Sequence, residues 1–152
     1  DVVSYLRFNL RSQIYAKSLP MAMTIGAIKR LEMMKNHPEL REKLWDIANA
    51  LQKGFREAGF DLGKTESPVT PVFFKGGLAQ TTQLIKDLRK NYGIFCSVVI
   101  YPVVPRGVIM LRIIPTAAHT MEDVSYTLKA FKEVKQKLES NAYPDEMADF
   151  RN

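Results

Sequence analysis

At 152 residues, with 46% hydrophobic and 25% charged residues and a formal net charge of +6, the chain has an ordinary globular composition, which indicates neither a disordered nor a membrane protein and allows one hydrophobic core. The longest apolar runs, 94–104 and 108–114, are bounded or broken by prolines and too short to span a bilayer, and the first residues lack the basic start and apolar core of an export signal. One cysteine, Cys96, excludes an internal disulfide and fits a reducing compartment, so a cytoplasmic location is expected.

Along the chain, Val2, Val3, Leu6 and Leu10 follow helical spacing with no capping residue ahead of them, and read as the continuation of something larger. Residues 12–19 read as irregular. Pro20 suits the first turn of a helix whose apolar face runs through Met21, Ile25, Ile28 and Leu31 or Met34. Asn36 and Pro38 close that helix and open the next, 38–58, where Leu40, Leu44, Ile47, Leu51 and Phe55 form one stripe and Gly59 ends it. After a turn-rich stretch, 69–74 is β-branched and aromatic, a strand stopped by Gly76 and Gly77. Residues 81–92 are helical through Leu84, Ile85 and Leu88, and Gly93 ends them. The near-continuous apolar segments 94–100 and 108–114 are expected as two further strands with both faces covered. Thr120 caps a last helix, with Asp123 three residues on and Val124, Leu128, Phe131 and Leu138 as its buried stripe. A polar tail is expected from Asn141. This order predicts an α+β fold, a mostly antiparallel sheet of about three strands with helices packed on it.

The positive charge is interleaved with Glu39, Glu42, Asp46, Glu57, Glu122, Asp123 and Glu133 along helix faces. A nucleic-acid surface would gather its basic residues in a stripe beside exposed aromatics. Most of this charge therefore reads as solvated surface, and a basic α+β module binding nucleic acid or another anionic partner is the alternative reading. His37 and His119 sit at helix entries and read as turn residues. One cysteine and two distant histidines lack the spacing of a metal site, the acids read as surface groups on helices, and no glycine-rich phosphate loop follows a strand. What remains is Arg112, an arginine in the apolar strand Val108-Ile109-Met110-Leu111-Arg112-Ile113-Ile114, preceded by the loop Tyr101-Pro102-Val103-Val104-Pro105-Arg106-Gly107. A guanidinium buried there without a partner costs several kcal/mol, so something anionic should meet it. Its planar fork suits a carboxylate held through two parallel hydrogen bonds.

The Tyr-Pro-Val-Val-Pro-Arg-Gly run, the Leu111-Arg112-Ile113 strand, the Ala117-Ala118-His119-Thr120 helix entry, Ser18-Leu19-Pro20 and the segment Leu40 to Trp45 together resemble the α-oxoamine synthases. These are pyridoxal-phosphate (PLP) enzymes that condense an amino acid with an acyl-CoA, among them 2-amino-3-ketobutyrate CoA ligase, 8-amino-7-oxononanoate synthase, 5-aminolevulinate synthase and serine palmitoyltransferase. The resemblance covers 1–140. It implies the small C-terminal domain of a fold-type I PLP enzyme, with 1–20 a connecting segment from a larger domain, 21–140 the α+β domain and 141–152 a polar tail. It implies that Arg112 binds the carboxylate of the amino-acid substrate, glycine or serine, and that Ser18 and Lys17 help hold the cofactor phosphate in the partner subunit of a homodimer. Relatives carry Ser or Thr where Ala16 stands, so one phosphate donor is replaced. Lys17 superficially resembles the family's Schiff-base lysine, but Pro20 and Met21 follow where that motif has a glycine-rich turn. The anchoring lysine, the aspartate beside the pyridine nitrogen and the stacking histidine are thus expected in sequence upstream of Asp1. No catalytic residue is expected in this chain, which alone should be inactive and not bind PLP.

Overall fold

The computed structural model describes residues 1–143; the expected tail beyond Tyr143 lies outside the described residues. The chain divides into two compact units, Asp1–Pro38 and a second beginning at Glu39.

In the first unit, α1 (Val2–Asn9), α2 (Arg11–Ile14) and α3 (Met21–Asn36) follow one another. The Asp1 carboxylate accepts hydrogen bonds from the Val3 and Ser4 amides at 2.8 and 3.4 Å. This is an N-cap, so the first stripe does have a capping residue ahead of it. Residues 11–14 are helical, although irregular chain is expected from residue 12, because the carbonyls of Leu10 and Arg11 close a single turn. No residue of α1, α2 or α3 is buried, and Phe8, Leu19 and Met34 are 79%, 72% and 73% exposed. The apolar side chains expected on one face of α3 are exposed as well. Apolar surface on this scale is characteristic of a surface that something else covers.

The second unit is built on a sheet. Helix α4 (Pro38–Glu57) starts on proline, whose missing amide hydrogen is no loss in a first turn, and Gly59 ends it at φ 73°. Then come β1 (Thr70–Lys75), α5 (Leu78–Asn91), β2 (Ser97–Val99), β3 (Val108–Ile113) and α6 (Met121–Glu139). The expected strand at 94–100 shortens to three residues. Helix α5 begins three residues early, where the Gln80 side chain accepts from the Gly77 amide at 3.0 Å. At α6 the predicted cap is present: Thr120 Oγ1 accepts from the Asp123 amide at 3.2 Å while Asp123 accepts from the Thr120 amide at 2.8 Å.

The sheet has the order β1-β3-β2, antiparallel throughout. Strand alternation puts Thr70, Val72, Phe74, Ile109, Leu111 and Ile113 on one buried face. The apolar ones among them pack with Ile47, Leu51 and Phe55 of α4, Leu84 and Leu88 of α5, and Val124, Phe131 and Val134 of α6. At its centre, Phe55, Phe60, Phe74 and Phe131 meet ring to ring, mostly edge to face, with centroids 5.1–6.5 Å apart. A Cβ on Gly54 would stand 2.3 Å from Leu128 Cδ1, so glycine lets α4 and α6 close together. The other face carries Pro71, Phe73, Val99, Val108 and Met110, all half-buried, with Lys75 and Arg112 exposed. The expectation of two covered faces is therefore corrected. The helices of this unit form a single layer, and near-continuous apolar strands look the same whether their second cover is present or lies in other sequence.

One acid departs from the expected surface placement. Asp87 of α5 is buried, and its carboxylate accepts from Lys137 Nζ at 2.8 Å, from Asn91 Nδ2 at 2.6 Å and from the Tyr143 hydroxyl. Tyr143 is buried too, so the start of the expected polar tail is held against α5 and α6. Burial raises the Asp87 pKa, but the hydrogen bonds from Lys137, Tyr143 and Asn91 together outweigh it and hold the carboxyl below its ordinary value. A depressed carboxylate contributes stability that is present above the unfolded-state pKa and lost as pH falls through the folded one. Asp87→Asn is thus expected to cost about 1–2 kcal/mol near neutral pH, with the gap to wild type closing as the pH drops below about 4. Urea unfolding of both proteins across that range measures it, and a gap independent of pH would exclude the charged form as the source.

Candidate substrate-carboxylate site

Arg112 lies one residue from the C-terminal end of the central strand β3, on the sheet face that α4–α6 leave open. Directly opposite it stand Pro71 on β1 and Ser97 on β2. Its Nε donates to Ser97 Oγ at 3.2 Å, and among the described residues it forms no ion pair. The side chain is exposed rather than buried in this chain. The expected desolvation cost thus does not arise here. An exposed guanidinium with only Nε engaged can present its two terminal nitrogens to a carboxylate.

The proline loop is braced separately. The Arg106 guanidinium lies 4.7 Å over the Tyr101 ring, and the Val103 and Val108 amides bond to the Ile100 and Pro105 carbonyls. Gly107 takes φ 80° while its carbonyl accepts from the Gly76 amide at 3.1 Å, tying the loop to the entry of α5. This loop feeds the start of β3, about 13 Å of strand from Arg112. The extended strand therefore holds the loop and Arg112 apart. At Arg112's own end, β1 starts at Thr70 opposite Ile113 and β2 starts at Ser97 opposite Arg112.

His119 behaves as the turn residue expected: its Nδ1 accepts from the Thr116 amide at 2.9 Å. His37 is the C-cap of α3, its amide bonded to the Met33 carbonyl. Cys96 is buried, and burial pushes its thiol up to about 11, so it is unreactive core. Ser18 and Lys17 lie in the exposed segment between α2 and α3. The N-cap of α3 is Pro20, with no side-chain cap, so Ser18 is not engaged as the helix cap. A hydroxyl and an ammonium are donor types that a phosphate takes. Around Arg112, by contrast, the open sheet face offers Ser97, Pro71, Phe73, Val99 and Met110, and its lysine, Lys75, stands at the far end of β1. Among the described residues on the strands of this face, no acid and no lysine other than Lys75 accompanies Arg112. Among the described residues, no three His, Cys, Asp or Glu come together as for a metal ion, and no helix is long and apolar enough to cross a membrane.

The chain is 55% identical over 142 residues to a cysteate-C-fatty acyltransferase of Capnocytophaga ochracea, covering 93% of this chain and 34% of that protein. It is 33% identical over 140 residues to an 8-amino-7-oxononanoate synthase of Thermoanaerobacter pseudethanolicus, with 91% and 34% covered. Among solved structures, serine palmitoyltransferase from S. paucimobilis with a bound PLP-myriocin aldimine matches at a TM-score of 0.75 and 26% identity, over 90% of this chain and 34% of that one. The chain thus spans about a third of the length of the curated relatives it matches. The three-stranded antiparallel sheet under helices is the corresponding part of a fold-type I PLP enzyme. The profile of the aminotransferase class I and II family matches residues 1–131, and the chain belongs to that family.

Proposed function

We propose that the chain is the C-terminal part of a PLP-dependent C-acyltransferase, which joins the α-carbon of an amino acid to the acyl carbon of an acyl-CoA: the α-carbon loses its proton or its carboxylate (as CO2), the thioester C–S bond breaks, and an α-oxoamine and free CoA result. The observation that carries this is Arg112, an exposed guanidinium on the uncovered sheet face, in a chain 55% identical to a cysteate-C-fatty acyltransferase. That likeness favours cysteate, with its added sulfonate, over glycine or serine, and a fatty acyl donor over a short one. In the longer protein Arg112 grips the substrate carboxylate and so fixes the orientation of the α-carbon, which is positioning rather than bond-making chemistry. PLP, when bound, supplies an electron sink at that α-carbon. Ser18 and Lys17 donate to the cofactor phosphate across a homodimer, a role supported by their unengaged, exposed position ahead of α3. Residues 1–20 connect to the larger domain, 21–140 form the small one, and the exposed apolar side chains of α1–α3 are the surface that the rest of the assembly covers.

The test is thiol release. The longer protein carrying this chain, loaded with PLP, should liberate free CoA from palmitoyl-CoA when given L-cysteate, L-serine or glycine. No release with any of the three would overturn the proposal. The isolated 152 residues should release none, and borohydride treatment after incubation with PLP should leave no adduct. An adduct on Lys17 by mass spectrometry would instead make that residue the anchor.

A further inference from the structure

We propose that Ser97 is a positioning residue that sets how Arg112 meets a substrate carboxylate, an inference that rests on the carboxylate role given to Arg112 above. The two residues are direct cross-strand partners on the open face of the sheet, where opposed side chains come within contact distance. Ser97 is half-buried, at the first position of the edge strand β2, and the buried Cys96 precedes it. Its hydroxyl oxygen lies 3.2 Å from Arg112 Nε. On the other side of Arg112, Pro71 offers neither a side-chain hydrogen-bonding group nor an amide hydrogen, so among the described residues the sideways hold on the guanidinium comes from β2.

The geometry has a specific consequence. A guanidinium can take a carboxylate side-on, through Nε and one terminal nitrogen, or end-on, through its two terminal nitrogens. With Nε engaged by Ser97, the end-on fork remains. The carboxylate is then met along the axis of the side chain and not from the β2 side. Holding Nε also removes rotamer freedom from a long side chain before substrate arrives, which lowers the ordering cost of binding. Serine or threonine at 97 supplies the acceptor; alanine does not.

The experiment uses the longer protein with its PLP and titrates L-serine and L-cysteate calorimetrically, alongside steady-state kinetics. Ser97→Ala is expected to raise the amino-acid dissociation constant and KM about fivefold, the effect of one net hydrogen bond. The KM for palmitoyl-CoA and kcat should stay within about twofold. Ser97→Thr should restore amino-acid affinity, and in an Arg112→Ala background Ser97→Ala should add no further loss, because the bond it removes is already gone. Unchanged affinity in Ser97→Ala, an equal loss in Ser97→Thr, or full additivity with Arg112→Ala would each overturn the positioning role while leaving the carboxylate role of Arg112 standing. If Arg112→Ala itself leaves amino-acid affinity unchanged, the proposed site falls, and this inference falls with it.

Discussion

Arg112→Ala in the longer protein is expected to raise the amino-acid dissociation constant about 100-fold, and Arg112→Lys to recover little of that loss. The estimate follows from charge-assisted hydrogen bonds of about 1.5–3 kcal/mol to an ionised partner, doubled in number by a bidentate fork and reduced by residual solvation. Lysine keeps the charge but presents a point ammonium in place of two parallel donors, and it has no Nε hydrogen to give Ser97. The size of the effect is as informative as its sign. In this chain the guanidinium is exposed, and an ion pair between solvated groups contributes only about 0–1 kcal/mol. A loss of fivefold or less would therefore mean that Arg112 stays as open to water in the longer protein as it is here. A loss near 100-fold requires that other parts of the assembly close over the sheet face and exclude water. Direct titration of amino acid into PLP-loaded wild type and both variants separates these outcomes.

The second large effect is on stability. Phe131 of α6 is fully buried and contacts the rings of Phe55, Phe60 and Phe74 with centroids 5.1, 6.3 and 6.5 Å away. Phe131→Ala removes a ring that no neighbour can replace without breaking its own edge-to-face contacts, and is expected to destabilise the second unit by about 3–5 kcal/mol. Against a total of about 5–15 kcal/mol for a typical domain, that brings the unit close to its folding threshold. Leu40→Ala provides the control within the same class of apolar stripe residue. Leu40 is 48% exposed, so its loss should change stability by under about 0.5 kcal/mol in this chain. Urea unfolding followed by circular dichroism compares the two. A Phe131→Ala midpoint close to wild type would mean that the aromatic cluster is not where the core is concentrated.

The contrast between Phe131 and Leu40 shows what pattern reading delivers. Both lie on stripes of correct helical spacing, and α4, α5 and α6 formed where those stripes ran. The spacing does not report whether anything lies against a given turn of the stripe, and the N-terminal end of α4 carries its leucine outside the core. The same limit applies to β3. Its apolar run announced a strand, yet only the helix-side residues Ile109, Leu111 and Ile113 are buried, while Val108 and Met110 are half covered and Arg112 is exposed. Asp87 is the opposite error. A carboxylate on a helix with alternating charges reads as surface, and only the approach of Lys137 and Tyr143, 50 and 56 residues away in sequence, gives it the partners that make burial tolerable.

By itself the sequence determined the α+β class, the order of the main helices and strands of the second unit, the Thr120 cap with Asp123, and Arg112 as the residue to ask about. Each depends on local spacing or on one side chain's chemistry, which a linear string carries in full. The tertiary structure decided the strand order β1-β3-β2, the open face on which Arg112 stands, its separation from the proline loop and its pairing with Ser97. Those are matters of register and layering. They arise when segments distant in sequence are brought side by side, where a shift of one residue would have turned Arg112 into the core and Leu111 out to water.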